Sequence, residues 1–398
     1  VNISSHPSNK AKTSTDKVSS KEIRMLFHHS QREYNEAASE AARVAKDKLM
    51  QDIERGKVFA ASIANRVFTE IPVDHVVAGK ALKFDGDADS REKGSPDGLL
   101  VNYGDVTNSL TRHSTSQICQ RAKIPQKYLS WLGESERRNW GLPLAAENLQ
   151  EIYSHSSDRF LLRSYDSRLR GFLSDRYRRR DSRPLLEGFM DACQQVGALP
   201  YDAIGSETRV SMKAVLPMVF EPVENEVMSI GCMWENSDYG AGKHSLWVFI
   251  SRLWCTNKAI MTTGFAQIHL GRKLADNPLL SQKTIDLDTQ TTISAMHDVI
   301  NETMSPDTVD ALCSVIKKAS ADNIDAGAAL ERYKKKFTKE ESDSVREKFN
   351  TPDVVQLPPG NTLWRLSNAV SWLANETEEP DRKLELMKIA GEMLPKAS

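Results

Sequence analysis

Apolar residues first fall into a helical rhythm near the start of the chain. Between Lys21 and Phe68, Ala38, Ala42, Ala45, Leu49 and Ile53 recur at three- and four-residue steps, with charges of both signs between them. That spacing places them on one face of an amphipathic helix. The face is mostly alanine, so it predicts close packing on another element rather than a core of its own. Residues 1–20 are rich in Ser, Thr, Lys and Asn without any period, the pattern of a flexible tail. From Ile71 to Tyr103, short apolar runs flank the polar insert GDADSREKGSPDG and predict two short strands around an exposed loop. Ser114 or Ser116 then caps a short helix reaching Ala122, and Pro125 opens a second one bearing Tyr128, Leu129 and Leu132.

Alternation takes over at Phe160–Tyr177, which reads as a β-hairpin turning at Asp166-Ser167-Arg168. Asp181 or Ser182 caps a following helix with Pro184 in its first turn. Thr208 to His269 is the strand-rich centre, formed by TRVSMKAVLPMVF (ending before Pro222), NEVMSIGCMWENS, SLWVFISRLWC and AIMTTGFAQIHLG. EPVEN, DYGAGK and a turn at Thr256-Asn257-Lys258 join these runs into a predicted antiparallel meander. From about Pro278 the pattern is helical again, with a capping box at Thr338 and Glu341 and a stripe of Leu363, Leu366, Val370 and Leu373. The predicted class is α+β: a central antiparallel β-meander flanked by N- and C-terminal helices. The predicted organisation is a tail (1–20), an N-terminal amphipathic helix (21–68), an α+β core (69–275) and a helical C-terminal region (276–398).

Composition narrows the classes. No apolar run approaches the roughly 20 residues that span a bilayer, and the polar start shows no secretory signal. The five cysteines (Cys119, Cys193, Cys232, Cys255, Cys313) are scattered, odd in number and without a CxxC pair. They predict neither a disulfide framework nor a zinc ribbon, and they fit a reducing cytoplasm. The net charge of -1 means that attraction to a polyanion has to come from a local patch.

One stretch supplies such a patch. Arg159 to Arg183 holds nine arginines against three aspartates and no lysine. Guanidinium forks suit phosphate oxygens and stack on bases. Tyr165 and Tyr177 lie among them as candidates for stacking unpaired bases. The helix start at Asp181–Pro184 adds free N–H groups that favour a phosphate. On a strand, Arg176, Arg178 and Arg180 would face one way, with Tyr177 and Arg179 facing the other. The competing reading is a solvated edge strand whose arginines pair with Asp166, Asp175 and Asp181. The candidate nucleic-acid contacts are Arg163, Arg168, Arg170, Arg176, Tyr177, Arg178, Arg179 and Arg180, joined by Lys243, Lys258, Arg272 and Lys273.

Other chemistry is sparser. Gly240-x-Gly242-Lys243 lacks the upstream glycine of a phosphate loop, and His244 stands where a hydroxyl would hold magnesium, so a hairpin turn is expected. Cys255 and His269 fall on neighbouring predicted strands as a conceivable thiol and base, with a structural cysteine as the default. The histidines show no metal-ligand spacing. Asp286 and Asp288 form an x-Asp-x-Asp pair in a predicted linker, without the lysine-bearing strand of a nuclease. No catalytic residue, metal site or cofactor is assigned.

Several segments resemble one family in order along the chain. LRGFLSDRYRRRDSRPLLEGF is similar to the SDRY-containing stretch of a phage- and plasmid-encoded family of unknown function. GCMWENSDYGAGKHSLWVFISRLWCTNKAI, IHLGR and NTLWRLSNAVSWLANE resemble its NSD-G, CTN, HLG and NAV elements, and IPQKYLSWL resembles an N-terminal segment of a common variant. Lys258 and Ile268 replace a glycine and an arginine of the family pattern. The resemblance spans roughly residues 110–395 and implies an origin in a mobile element. By analogy of context, it points to phage single-strand annealing proteins of the RecT and Erf kind, which assemble into rings or filaments. The resulting expectation is a cytoplasmic protein of a bacterial host that binds nucleic acid, single-stranded DNA above all, and promotes annealing as a homo-oligomer without catalysis. Two alternatives are an enzyme acting on a nucleotide or nucleic acid around the glycine turn, and a structural or scaffolding phage protein using its terminal helices for subunit contacts.

Overall fold

The computed structural model describes residues 33–86, 98–133, 140–253, 258–261, 281–351 and 357–395. The expected tail and the start of the expected N-terminal helix lie outside them. Helix α1 (Glu40–Thr69) begins later than the sequence pattern suggests, because Ser39 caps it by accepting from the Ala42 N–H. Residues 33–38 precede it as a non-helical segment, with Ala37 N–H bonded to Val219 O and the Tyr34 hydroxyl to Met304 O. The predicted face is buried from Ala42 to Ile53 and extends through Gly56, Ala60 and Ala64, whereas Ala38 precedes the helix and is exposed.

Two six-stranded sheets follow. The first combines β1 (Val73–Ala78), β2 (Lys83–Gly86), β3 (Leu99–Tyr103), β4 (Val106–Leu110), β5 (Arg159–Tyr165) and β6 (Arg168–Ser174) in the order β1-β5-β6-β4-β3-β2. Among the described residues, only the β4–β6 pairing in this sheet is parallel. The β5–β6 hairpin turns where expected, with Asp166 and Ser167 both at positive φ (51° and 56°), the twist that two-residue hairpin turns require. Helices α2 (Arg112–Ala122), α3 (Gln126–Gly133) and α4 (Gly141–Ser154) cover one face over Phe84, Val101, Tyr153, Phe160 and Phe172. The sequence reading has no counterpart for this sheet as a unit or for α4.

Helix α5 (Ser182–Gln195) leads into the second sheet, which is the predicted meander. It contains β7 (Leu199–Gly205), β8 (Val210–Val215), β9 (Phe220–Val223), β10 (Glu226–Asn236), β11 (Ser245–Arg252) and β12 (Lys258–Met261). All pairings are antiparallel, in the order β12-β11-β10-β8-β7, with β9 also on β10. The run expected as one strand from Thr208 to Phe220 splits into β8 and β9 around Pro217, which has no N–H for a ladder, and Pro222 lies within β9. Strand β7 is an addition to the prediction, since Pro200 and Asp202 disguise it. Both faces of this sheet are buried. Ile230, Cys232 and Trp234 alternate with Met233 along β10 into two different cores, so the strand reads as a continuous apolar run.

One core packs against α5, α6 (Gln282–Thr303) and α7 (Pro306–Ala321). The other packs against the first half of α1 and against α8 (Ala326–Arg332), α9 (Lys339–Asn350), α10 (Leu363–Glu376) and α11 (Pro380–Glu392). The Thr338–Glu341 capping box is present. Helix α10 is buried beyond its predicted stripe, and Ser367, Asn368 and Arg365 on it bond to backbone carbonyls inside the protein. Arg365 donates to the carbonyls of Phe349, Thr351 and Pro358, closing the end of α9. Buried Glu226 takes both Arg252 Nε and Nη2 at 2.7 Å and the Trp364 indole N–H at 3.1 Å, joining sheet to helix. The class is α+β.

Candidate nucleic-acid interface

The hairpin, helix α5 and the turn after β10 meet at the arginine run, and burial decides what each arginine does. Arg163 is 1% exposed. Its guanidinium donates to Asp74 Oδ1 (2.7 Å), the Asp238 carbonyl (2.7 Å) and Asp181 Oδ1 (2.6 Å). Burial disfavours the charge, but Asp181 and Asp74 outweigh it and raise the pKa above the ordinary value. Arg170 is buried against Glu70 (2.7 Å), with the Tyr165 ring beneath it at 4.9 Å. Arg168 pairs with Glu207 at 2.7 Å, and Arg179 pairs with Asp74 at 2.9 Å. Arg178 grips both oxygens of Asp288, and Arg180 lies 3.8 Å from the same carboxylate. Burial, with the Arg178 charge second, pulls the Arg180 pKa down.

These placements correct the expected phosphate track. Arg163, Arg168, Arg170, Arg178, Arg179 and Arg180 are neutralised from inside the fold, as the solvated-edge reading anticipated for Asp181 alone. Their other partners are Asp74, Glu70, Glu207 and Asp288, all remote in sequence. Asp166 and Asp175 form no ion pair with them among the described residues. Tyr177 is half-buried beside Gly240, and burial raises its phenol pKa, so it is no open stacking platform. The start of α5 is already filled, because Asp238 Oδ1 accepts from the Ser182 N–H (2.6 Å) and hydroxyl (2.7 Å). A carboxylate from the NSD segment occupies the place where a phosphate was expected. Arg178 and Arg180 share Asp288, but β6 ends at Ser174, residues 175–181 are not a strand, and Arg176 does not join them, so the expected strand alternation does not apply. Arg176 alone of the candidate arginines is exposed, with no carboxylate partner among the described residues.

The glycine turn leads to a different surface. Ser237 Oγ accepts from the Ala241 N–H at 2.8 Å, Gly240 has φ 74°, and Gln117 donates to Tyr239 O at 3.0 Å. This fixed turn is no nucleotide cradle, but it holds exposed Lys243 on the rim of a groove of about 760 Å³. Period-two alternation builds the floor. Ser211 and Lys213 on β8, Met233 and Glu235 on β10, and Ser245 and Trp247 on β11 share one face. Helix α11 forms a wall with Lys383, Leu384, Met387 and Lys388. Lys388 Nζ sits 3.7 Å from the Trp247 ring centroid. Arg209 and His113 complete the far end, where the His113 Nε2–H donates to Tyr239 O at 3.0 Å. Burial holds the His113 pKa below its ordinary value.

Five basic side chains (Arg209, Lys213, Lys243, Lys383, Lys388) thus surround an apolar strip, against two acids, Glu235 and Glu379. Glu235 is turned inward, accepting from Ser245 (3.1 Å) and the Trp247 N–H (3.2 Å). Lys213 is tied to Asp202 at 3.0 Å. Apart from Lys243, the sequence reading missed this set because its members are isolated basic residues spread over β8 and the residue before it, the glycine turn and α11. A far smaller pocket of about 30 Å³ beside Arg66, Glu70 and Arg170 has room for about one water.

The remaining candidates fall elsewhere. Arg272, Lys273, Cys255 and His269 lie outside the described residues, and Lys258 is placed as part of β12 only. Asp286 and Asp288 sit on α6 rather than in a linker, and Asp288 is taken by Arg178, so they are no metal pair. Among the described residues, no group of three His, Cys, Asp or Glu side chains is placed to hold a metal ion. Cys193 and Cys232 touch at 3.7 Å between sulfurs inside the core as free thiols. No helix of the described residues is long and apolar enough to cross a membrane. Comparison of the chain with known protein families, curated proteins and solved structures finds no match in any of the three.

Proposed function

We propose that the protein binds nucleic acid, single-stranded DNA in the first place, and that the groove between the second sheet and α11 is where it does so. The observation that carries the reading is the apolar strip with cations on both rims. Lysine ammonium groups neutralise phosphates, and the apolar part of the lining, Met233, Trp247, Leu384 and Met387 among polar Ser211 and Ser245, offers unpaired bases a surface with little sequence preference. The groove replaces the arginine run as the main contact, with Lys243 kept from the original candidates and Arg176 as a peripheral one. The motif resemblance supports a role in a mobile element, where annealing of complementary strands by a homo-oligomer in the bacterial cytoplasm is the matching activity. No step in this mechanism breaks a covalent bond.

Fluorescence anisotropy with an oligothymidylate tests it. Log K should fall by about 0.7 per phosphate contact for each unit of log salt. Lys243→Glu with Lys383→Glu should weaken binding at least about tenfold and flatten that slope, whereas Arg176→Ala should change it little. A flat salt response in the unaltered protein sinks the reading. The volume also suits a single small molecule, so a mononucleotide is the competing occupant. Tight mononucleotide binding without oligonucleotide binding would favour an enzyme or sensor of nucleotides.

A further inference from the structure

A second surface beside the groove combines cations with exposed aromatic rings. Between Val106 and Gly133 the chain carries Arg112, Arg121, Lys123 and Lys127 and not one aspartate or glutamate. Thr111 caps α2, and α2 ends at Lys123 in the left-handed conformation (φ 56°). Pro125 then starts α3 after a three-residue turn, making a tight helical corner. Leu129 and Leu132 point into the core of the first sheet. Helical spacing puts Lys127, Tyr128 and Trp131 together on the outer side, where Tyr128 is 40% and Trp131 is 49% exposed. Trp140, which precedes α4, is 55% exposed, and α4 packs on α3. Asn148 on α4 donates to the Tyr128 hydroxyl at 3.3 Å and steadies that ring.

Charge selects the occupant of this corner. The arginine run is neutralised from within, but Arg112, Lys123 and Lys127 are exposed and have no carboxylate at ion-pair distance among the described residues. Arg121 is otherwise engaged, donating to Phe172 O at 3.3 Å. Three exposed cations without a carboxylate at ion-pair distance, beside half-exposed rings, complement a polyanion that has flat apolar faces. His113, in the first turn of α2, lines the groove. From there to Lys123 at the corner α2 spans about 15 Å at 1.5 Å per residue.

We propose that the α2–α3 corner is a second contact for the same single strand that lies in the groove. Tyr128 and Trp131 stack unpaired bases, and Arg112, Lys123 and Lys127 take the flanking phosphates. The proposal rests on the nucleic-acid reading above and extends its path. It separates from that reading by the kind of contact, since losing a stacking ring lowers affinity without removing a phosphate contact.

The test is binding of oligothymidylate to the full chain across a salt series. Tyr128→Ala with Trp131→Ala should lower affinity roughly fivefold to a hundredfold per lost stack, with the salt slope unchanged. Trp131→Phe should retain most of the affinity, because a ring remains. Ultraviolet crosslinking of the unaltered protein should attach the oligonucleotide at Tyr128 or Trp131, a readout that depends on no variant folding. Unaltered affinity in the double alanine variant together with no crosslink at either residue overturns the corner. A weakened corner variant beside a normally binding Lys243→Glu, Lys383→Glu variant supports the corner and overturns the groove. A corner variant that binds DNA normally but no longer self-associates assigns the surface to protein contact and overturns the proposal.

Discussion

Arg163 is held by acceptors on three separate segments, so its guanidinium acts as a cross-link between β5, β1 and the turn after β10. Arg163→Ala would leave Asp74 and Asp181 facing each other without that charge. Breaking a buried pair costs about 3–5 kcal/mol, and half-exposed Asp181 argues for the low end, about 3 kcal/mol. Arg176→Ala should stay within about 0.5 kcal/mol. Equal urea midpoints for the two variants would contradict the cross-link. His244 shows the same principle with opposite sign. It is buried against the Trp234 ring, and neither ring nitrogen has a hydrogen-bond partner. Burial, then the Arg180 charge, lowers its pKa to about 4. The unfolded chain, with an ordinary histidine near pKa 6.5, binds more protons between about pH 4 and 6.5. Stability is therefore full above pH 6.5 and falls on acidification, by up to about 3 kcal/mol for this group. His244→Leu should remove that part of the decline, read as the difference between unfolding free energies at pH 7 and pH 5. Parallel declines in both proteins would exclude His244 as the cause.

Helix α1 lies against β7 at a distance that only glycine permits. A Cβ on Gly56 would stand 1.9 Å from the Tyr201 carbonyl oxygen. On an exposed helix, Gly→Ala stabilises by about 1 kcal/mol. Here overpacking costs about 1–3 kcal/mol or more, because the clashing atom is backbone. Gly56→Ala should therefore lower the urea midpoint, and a raised midpoint would mean that α1 packs differently. The close approach also explains the alanine-rich face, since small side chains let the helix axis sit near the strand. Helix α5 reveals another device. Its phosphate-friendly start is capped by Asp238 from 56 residues away, so the NSD segment works as a long-range cap within the chain.

Across the molecule, the second sheet is clamped between two helical layers, and Glu226–Arg252–Trp364 is a polar joint inside that clamp. Glu226→Ala should cost about 3–5 kcal/mol by removing the carboxylate that faces the buried Arg252 guanidinium. Glu226→Ala with Arg252→Ala should recover part of that loss, since no lone charge remains. A double variant destabilised by the full sum of the single losses would show that the pair is uncoupled. The joint also holds α10, which packs against α11, the helix that walls the groove, so its loss should weaken the proposed DNA binding as well as stability.

Local rules carried the sequence far. The period of α1 from Ala42 onward, the Asp166–Ser167 hairpin, the antiparallel pairing of the second sheet and the Thr338–Glu341 capping box follow local sequence rules and are present, whereas the start of α1 and the strand division around Pro217 differ from the reading. The arginine run was visible for the same reason, because nine like charges within one stretch need no tertiary context to be noticed. Its meaning did need that context. The carboxylates that neutralise it come from 89 positions away for Asp74, 100 for Glu70 and 110 for Asp288, and electrostatics acts through space rather than along the chain. The groove was hidden by the same distance. Lys243 and Lys383 are isolated lysines in the sequence and become two rims of one site only after α11 packs beside β10 and β11. The sequence alone determined the α+β class and the presence of a basic surplus. Only folding decided which basic groups were used up as internal counter-charges and which were left facing water.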